Sequence, residues 1–253
     1  MGEIDGGKRR ALEPYLKFLR RLDDDVDLDT RVGHVLDEFS AEDFAGLGNT
    51  LAELDLTAGF SVPARHLEER PPIRRAIGDL ATDGHDVLLH GSRHTSFMDV
   101  PDETARAELA RASQVIEEVT GRAPTGFHVP YGRASPGTLR AAAELGVEWL
   151  VGSPADAAQV PADLALLQPV RPYDLQLIER GTDPEQVFER LSANAAEAAV
   201  YLCHPNVHVP PGTAPAFADW LEAEAPPAPD AVAAGDREGP GLLLDCFPPF
   251  RVL

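Results

Sequence analysis

Residues 126–151 read GFHVPYGRASPGTLRAAAELGVEWLV, and the order of signals in this stretch decides the fold. Gly126 to Val129 predicts a short apolar strand, and Pro130-Tyr131-Gly132 a tight turn. Ser135 offers a hydroxyl N-cap, Pro136 fills the first helical position, and Gly146 stops the helix before a second strand, Val147 to Val151. Strand, helix and strand in such close succession form a βαβ unit, whose two strands run parallel.

The same alternation extends in both directions. Asp102 to Thr120 is a helix with an acidic start, apolar Leu109, Ala112, Ile116 and Val119 at helical spacing, and Gly121 just beyond its end. His85 to Leu89 is an apolar run of buried-strand length, preceded by a helix that Pro71 and Pro72 open and that ends near Gly84. Thr57 to Val62 predicts another strand. Ser40 with Asp43 makes a capping-box-like start for a helix to about Leu54, and Val32 to Leu36 is the first strand of the series. Downstream, residues 160–180 predict two short strands, Asp183-Pro184 a helix to about Ala198, and Val200 to Cys203 a further strand. Prolines crowd residues 205–230, predicting irregular structure around a helix near Pro215 to Glu224, and Gly241 to Phe247 and Phe250 to Leu253 close the chain as strands. The reading divides the chain into an N-terminal helix, Arg10 to Leu22, with an acidic linker over residues 1–30, and a single domain over 31–253. Repeated strand–helix units predict an α/β fold with a parallel sheet and helical crossovers, closed into a distorted barrel, with a doubly wound open sheet as the alternative.

Composition bounds the function. The chain has 253 residues, 42 acidic and 22 basic, a net charge of −20, and 43 % hydrophobic residues, enough for a substantial core. So negative a surface repels phosphate backbones and anionic headgroups, which argues against nucleic-acid and membrane partners. Lysine occurs only at Lys8 and Lys17, an acid-rich, lysine-poor usage that resembles proteins of a high-salt interior. Two cysteines, Cys203 and Cys246, cannot build a disulfide scaffold and read as a reduced, buried pair. The charged stretch from Met1 to Asp25 has no signal-peptide character and no segment has transmembrane length, so the expected location is cytoplasmic.

Parallel α/β folds place their sites at the carboxyl ends of the strands. There the sequence delivers Asp37-Glu38 after Val32 to Leu36, His90 and His94 after His85 to Leu89, Pro130-Tyr131-Gly132 after Gly126 to Val129, and His204 after Val200 to Cys203. Two histidines and a carboxylate are a common ligand set for zinc and its neighbours, with open positions for water and substrate. Glu38 is the acidic ligand in this reading, and Asp37 is left for another task. His128 reads as a buried, hydrogen-bonded core histidine. His34, His66, His85 and His208 have no evident partner, and Trp149 and Trp220 read as packing residues.

The motif order resembles the polysaccharide deacetylase family, the NodB-homology domain, over about Val32 to His204. The match is carried by Gly84-His85-Asp86-Val87-Leu88-Leu89-His90-Gly91-Ser92-Arg93-His94, by Val119 through Gly132 with its Thr-Gly and Pro-Tyr-Gly, and by Leu139 through Gly146. Leu36-Asp37-Glu38 is similar to that family's Phe-Asp-Asp, Thr57 to Val62 to the strand that follows it, and Leu202-Cys203-His204 to its Leu-x-His. The resemblance implies a distorted (β/α) barrel that hydrolyses carbon–nitrogen, non-peptide amide bonds, deacetylating an N-acetylated sugar with one divalent metal ion, zinc in the first instance. It implies Asp37 as general base, Glu38, His90 and His94 as metal ligands, the Tyr131 backbone N–H as oxyanion donor and His204 as general acid. A small-molecule or oligosaccharide substrate follows; oligomeric state does not. Four departures fall on the chemistry: Glu38 for Asp, Gly91 for Ser or Thr, His128-Val129 where an Arg is expected, and no Asp-x-x-Asp-Trp after Trp149. They make a catalytically degenerate protein with a binding or regulatory role the alternative.

Overall fold

The computed structural model describes residues 40–153, 159–195, 199–205, 214–236 and 238–246. The expected helix Arg10 to Leu22, the strands Val32 to Leu36 and Phe250 to Leu253, and Asp37, Glu38, His34 and His208 lie outside the described residues. The elements in chain order are α1 (Ala41–Glu53), β1 (Gly59–Val62), α2 (Ala64–Glu69), α3 (Pro71–Thr82), β2 (Asp86–Leu89), α4 (Asp102–Thr120), β3 (Gly126–His128), α5 (Pro136–Glu144), β4 (Trp149–Val151) and β5 (Ala165–Leu167). They continue with α6 (Asp174–Glu179), α7 (Pro184–Ala193), β6 (Val200–Cys203), α8 (Ala214–Glu224), α9 (Pro229–Ala233) and β7 (Gly241–Asp245).

Local chemistry sets most boundaries. Ser40 accepts the Asp43 N–H while the Asp43 carboxylate accepts from the Ser40 backbone, a complete capping box at the start of α1. Ser135 caps α5 by accepting the Thr138 N–H. Gly121 ends α4 at φ 76°, in the left-handed region that favours glycine. One expectation fails. The second strand expected within 160–180 is the helix α6, because the proline-bearing connection after β5 delivers Leu175, Leu177 and Ile178 at helical spacing onto the core. Helix α9 is also unannounced by the sequence, being a single short segment among prolines.

All seven strands are parallel, in the order β5-β4-β3-β2-β1-β7-β6. A parallel bridge from Pro169, just past β5, to Val200 of β6 joins the two ends, supported by the Val170 N–H donating to the Val200 carbonyl at 2.8 Å. The sheet is therefore a nearly closed barrel in a single domain, and the open-sheet alternative is set aside. Strand β7, the last among the described residues, lies between β1 and β6.

Strand period two then sorts side chains between lumen and helices. Phe60, Val87, Leu89, Phe127, Leu150, Tyr201, Leu242 and Leu244 join the core beneath the helices. Leu88, Trp149, Val151, Leu167, Val200, Leu202 and Leu243 form a separate cluster that fills the lumen. Trp149 fits because Gly126 on neighbouring β3 has no side chain: a Cβ there would lie 2.4 Å from the indole. One step farther along the same alternation, above this apolar plug, come Ser61, His90, His128, His204 and Asp245, all buried. Cys203 and Cys246 are buried free thiols, as expected.

Candidate active site

The polar layer sits at the carboxyl ends of the strands. His90, following β2, is fully buried, and its Nδ1 lies 2.7 Å from the His128 carbonyl oxygen. A carbonyl only accepts, so Nδ1 carries the proton and Nε2 presents its lone pair to the lumen. That Nε2 is buried without a hydrogen-bond partner and lies 3.6 Å from Asp245 Oδ2. His94, on the loop after β2, has a buried Nδ1 that is likewise unpartnered. Its ring stands 4.8 Å from His90 and 4.6 Å from Tyr131, centroid to centroid. One ligand atom from each of His90, His94 and Asp245 lies within 4.8 Å of the others.

The structure thus brings together the expected His90 and His94, but the carboxylate among the described residues that meets them is Asp245, at the end of β7. Sequence reasoning missed it: Asp245 ends an apolar strand, the position expected of Asp37, but the expected site stopped at His204. Asp245 is 2 % exposed, and its Oδ2 also lies 3.9 Å from His128 Nδ1 and 3.9 Å from His204 Nε2. Burial, with the neighbouring imidazoles adding to it, holds His90 well below the usual histidine range, lowers His94, and pulls His128 down to about 3. These rings are neutral near pH 7, the form in which imidazole binds a metal. The nitrogen–nitrogen–oxygen donor set fits a borderline ion such as zinc.

His128 is the hydrogen-bonded core residue that its position predicts. Its Nδ1 lies 2.8 Å from Ser61 Oγ, and its ring stacks on His90 with centroids 4.5 Å apart. His85 is structural as well, accepting the Ala58 N–H at its Nδ1. Trp149 and Trp220 both pack in cores.

His204 enters from β6 with a partner no motif announced. Its Nδ1 lies 2.8 Å from Asp174 Oδ1, and its backbone N–H donates to Asp174 Oδ2. Asp174 is fully buried at the start of α6. Burial alone would depress His204, but Asp174, followed by Asp245 and Glu179, outweighs it and the net shift is upward. This carboxylate comes from the crossover between β5 and β6. A searchable signal existed, an aspartate opening a short helix after Arg171-Pro172-Tyr173, but it lies far in sequence from His204.

Tyr131 completes the rim. It is 50 % exposed and adopts φ 58°, ψ 10°, a left-handed conformation that costs a non-glycine residue roughly 1 kcal/mol or more. The Gly132 N–H donates to the Val129 carbonyl at 2.8 Å, closing the turn. Gly91, where a hydroxyl residue was expected, has φ +74° and a Cβ position 3.1 Å from the Phe97 ring, so glycine is what the backbone requires. His94, Tyr131, Tyr173, Gln176, His204 and Asp245 line a cavity of about 160 Å³.

Comparison with known proteins bears on the fold. A family model described as polysaccharide deacetylase matches residues 30–150. No curated protein matches the chain. Similar solved structures include a CE4 family pseudoenzyme from Bacillus anthracis, 14 % identical with a TM-score of 0.53 over 81 % of this chain and 60 % of that one. A family 4 acetyl xylan esterase from Clostridium thermocellum, in complex with a cobalt ion, is 17 % identical with a TM-score of 0.52 over 72 % and 76 %. A T48 deacetylase with substrate is 17 % identical with a TM-score of 0.54 over 82 % and 92 %. The chain spans about three fifths of the length of the pseudoenzyme. At such identities the structural likeness speaks for the fold, which it shares with the family whose model matches. Motif order, barrel and matched segment agree: over residues 30–150 the chain is similar to the polysaccharide deacetylase family, whose fold it shares.

Proposed function

We propose that the protein is a metal-dependent hydrolase of non-peptide amide bonds whose first substrate class is N-acetylated sugars. The observation that carries this reading is the convergence of two buried, unpartnered imidazole nitrogens, on His90 and His94, with the Asp245 carboxylate. Desolvating such atoms without a partner costs about 1–3 kcal/mol each, a cost that a bound cation removes. A divalent ion in this position supplies a water of lowered pKa and polarises the acyl carbonyl. The chain does the rest. His90 is held in the ligating tautomer by the His128 carbonyl, and His204, fixed through Nδ1 by Asp174, turns Nε2 to the cavity to protonate the departing amine. The Tyr131 backbone N–H is assigned to the developing oxyanion.

Asp37 as base and Glu38 as ligand were expected from their motif; among the described residues the carboxylate near His90 and His94 is Asp245. Comparing Asp37→Asn, Glu38→Gln and Asp245→Asn in zinc-supplemented acetate release from N-acetylglucosamine and its oligomers assigns these roles. Zinc-dependent release abolished by His90→Ala supports the proposal, and absence of release with any divalent ion and any of these sugars overturns it. A second reading, a degenerate member that binds without turnover, is favoured by one observation: neutral His128 stands where a permanent cation was expected. Sugar binding without acetate release selects that reading.

A further inference from the structure

We infer that the substrate carries an anionic group, carboxylate or phosphate, besides its acyl group, and that Arg171 receives it. The inference deepens the proposed function and rests on its placement of the site. Arg171 follows the bridge that closes the barrel and lines the same cavity as His94, His204 and Asp245. Its Nη2 donates to Ser153 Oγ and lies 3.7 Å from where a Cβ on Gly132 would be, so the guanidinium is held beside the Pro-Tyr-Gly turn. Neutral Tyr173 and Gln176 line the same cavity.

Position together with charge context marks this arginine: it lines the cavity and, among the described residues, is not committed to a carboxylate, as six others are. Arg65, Arg74, Arg106, Arg111, Arg122 and Arg140 each face a carboxylate within 3.8 Å. Arg171 is exposed, and among the described residues its polar contact is a serine. An arginine fork with donors left over at the mouth of a reactive cavity matches the geometry of a carboxylate or phosphate. The chain's net charge of −20 repels anions at long range, but screening confines that field to roughly 8–10 Å at moderate salt, within which a local cation dominates. At about 160 Å³ the cavity is below the ~300 Å³ at which drug-sized pockets begin, so it takes an acyl group with part of one sugar ring, leaving the ring's substituents at the rim where Arg171 lies.

The test is calorimetric binding to the full, zinc-supplemented chain of three probes that differ in charge: N-acetylglucosamine, N-acetylmuramic acid for the carboxylate, and N-acetylglucosamine 6-phosphate for the phosphate. Wild type is expected to prefer at least one anionic probe over the neutral one by about tenfold. Arg171→Gln should erase the preference, Arg171→Glu should reverse it, and Arg171→Lys should keep part of it. Which anion is preferred identifies the substituent. Equal affinity for neutral and anionic probes in wild type, a preference that survives Arg171→Glu, or no binding of any probe overturns the inference. Acetate release measured in parallel separates it from the function on which it rests: Arg171-dependent preference without hydrolysis overturns the hydrolase reading alone, and hydrolysis without preference overturns this inference alone.

Discussion

Replacing Asp174 by Asn changes one atom pair and has a consequence that the geometry fixes. The carboxylate receives the His204 ring through Nδ1 at 2.8 Å and the Leu175 N–H at 2.7 Å on Oδ1, and the His204 backbone N–H on Oδ2. An amide has one oxygen and one NH2, so whichever way Asn is turned, one of its own N–H groups faces a donor. If the oxygen keeps the ring, the buried His204 backbone N–H loses its acceptor; if it keeps that N–H, the Leu175 N–H loses its acceptor and the imidazole must shift its proton to Nε2. Losing one charge-assisted bond costs about 1.5–3 kcal/mol, and part of the 1–3 kcal/mol of an orphaned buried group adds to it, so Asp174→Asn should destabilise the fold by about 2–4 kcal/mol. Turnover should fall by about 10²–10⁴, the usual contribution of a positioned acid–base group, while zinc content is retained because His90, His94 and Asp245 are untouched. Urea denaturation, elemental analysis and acetate release read these three quantities. Stability within about 0.5 kcal/mol of wild type together with unchanged turnover would refute the reasoning.

Other expectations can be tested alongside it. Burial first, and then Asp230, raise the Asp86 carboxyl from 3.8 to about 6, against the pull of Arg122. The folded chain then holds a proton that the unfolded chain has released, so stability falls as pH climbs from about 4 to 6, by at most about 3 kcal/mol, and the cost is complete above that window. Asp86→Asn should raise Tm at pH 8 and leave it unchanged at pH 4; equal shifts at both would count against this assignment. Gly126→Ala drives a methyl to 2.4 Å from Trp149 and should cost about 2–3 kcal/mol in thermal or urea unfolding, whereas a neutral effect would mean that the lumen is looser than described. Gly91→Ser restores a hydroxyl of the family pattern yet should lose about 1–2 kcal/mol, because φ +74° and the Phe97 ring oppose any side chain; a stabilised variant would contradict this.

Much of the barrel was legible because capping and stop signals are local. Ser40, Ser135 and Gly121 act within a turn of their own helices, and the strands buried on both faces read as unbroken apolar runs. His90 and His94 were legible for the same reason, their loop being short. Asp174 and Asp245 were not, since each reaches its partners through barrel closure: Asp174 lies 30 residues from His204, and Asp245 arrives on a strand far along the chain that inserts between β1 and β6. No local pattern records which strands become neighbours. In an acid-rich chain, one more aspartate at a strand end also carries little information of its own. The helix α6 was misread for a related reason, its few apolar residues being too short a run to fix a period.

Zinc titration of the metal-stripped full chain, followed by elemental analysis after desalting, tests the account at its centre. The wild-type chain should retain roughly one zinc, as a three-ligand site with an open position does. His90→Ala, His94→Ala and Asp245→Asn should each lose it while keeping the wild-type circular-dichroism spectrum. Retention of the full zinc content by Asp245→Asn, or none in the wild type, would contradict the claim that β7 completes the site.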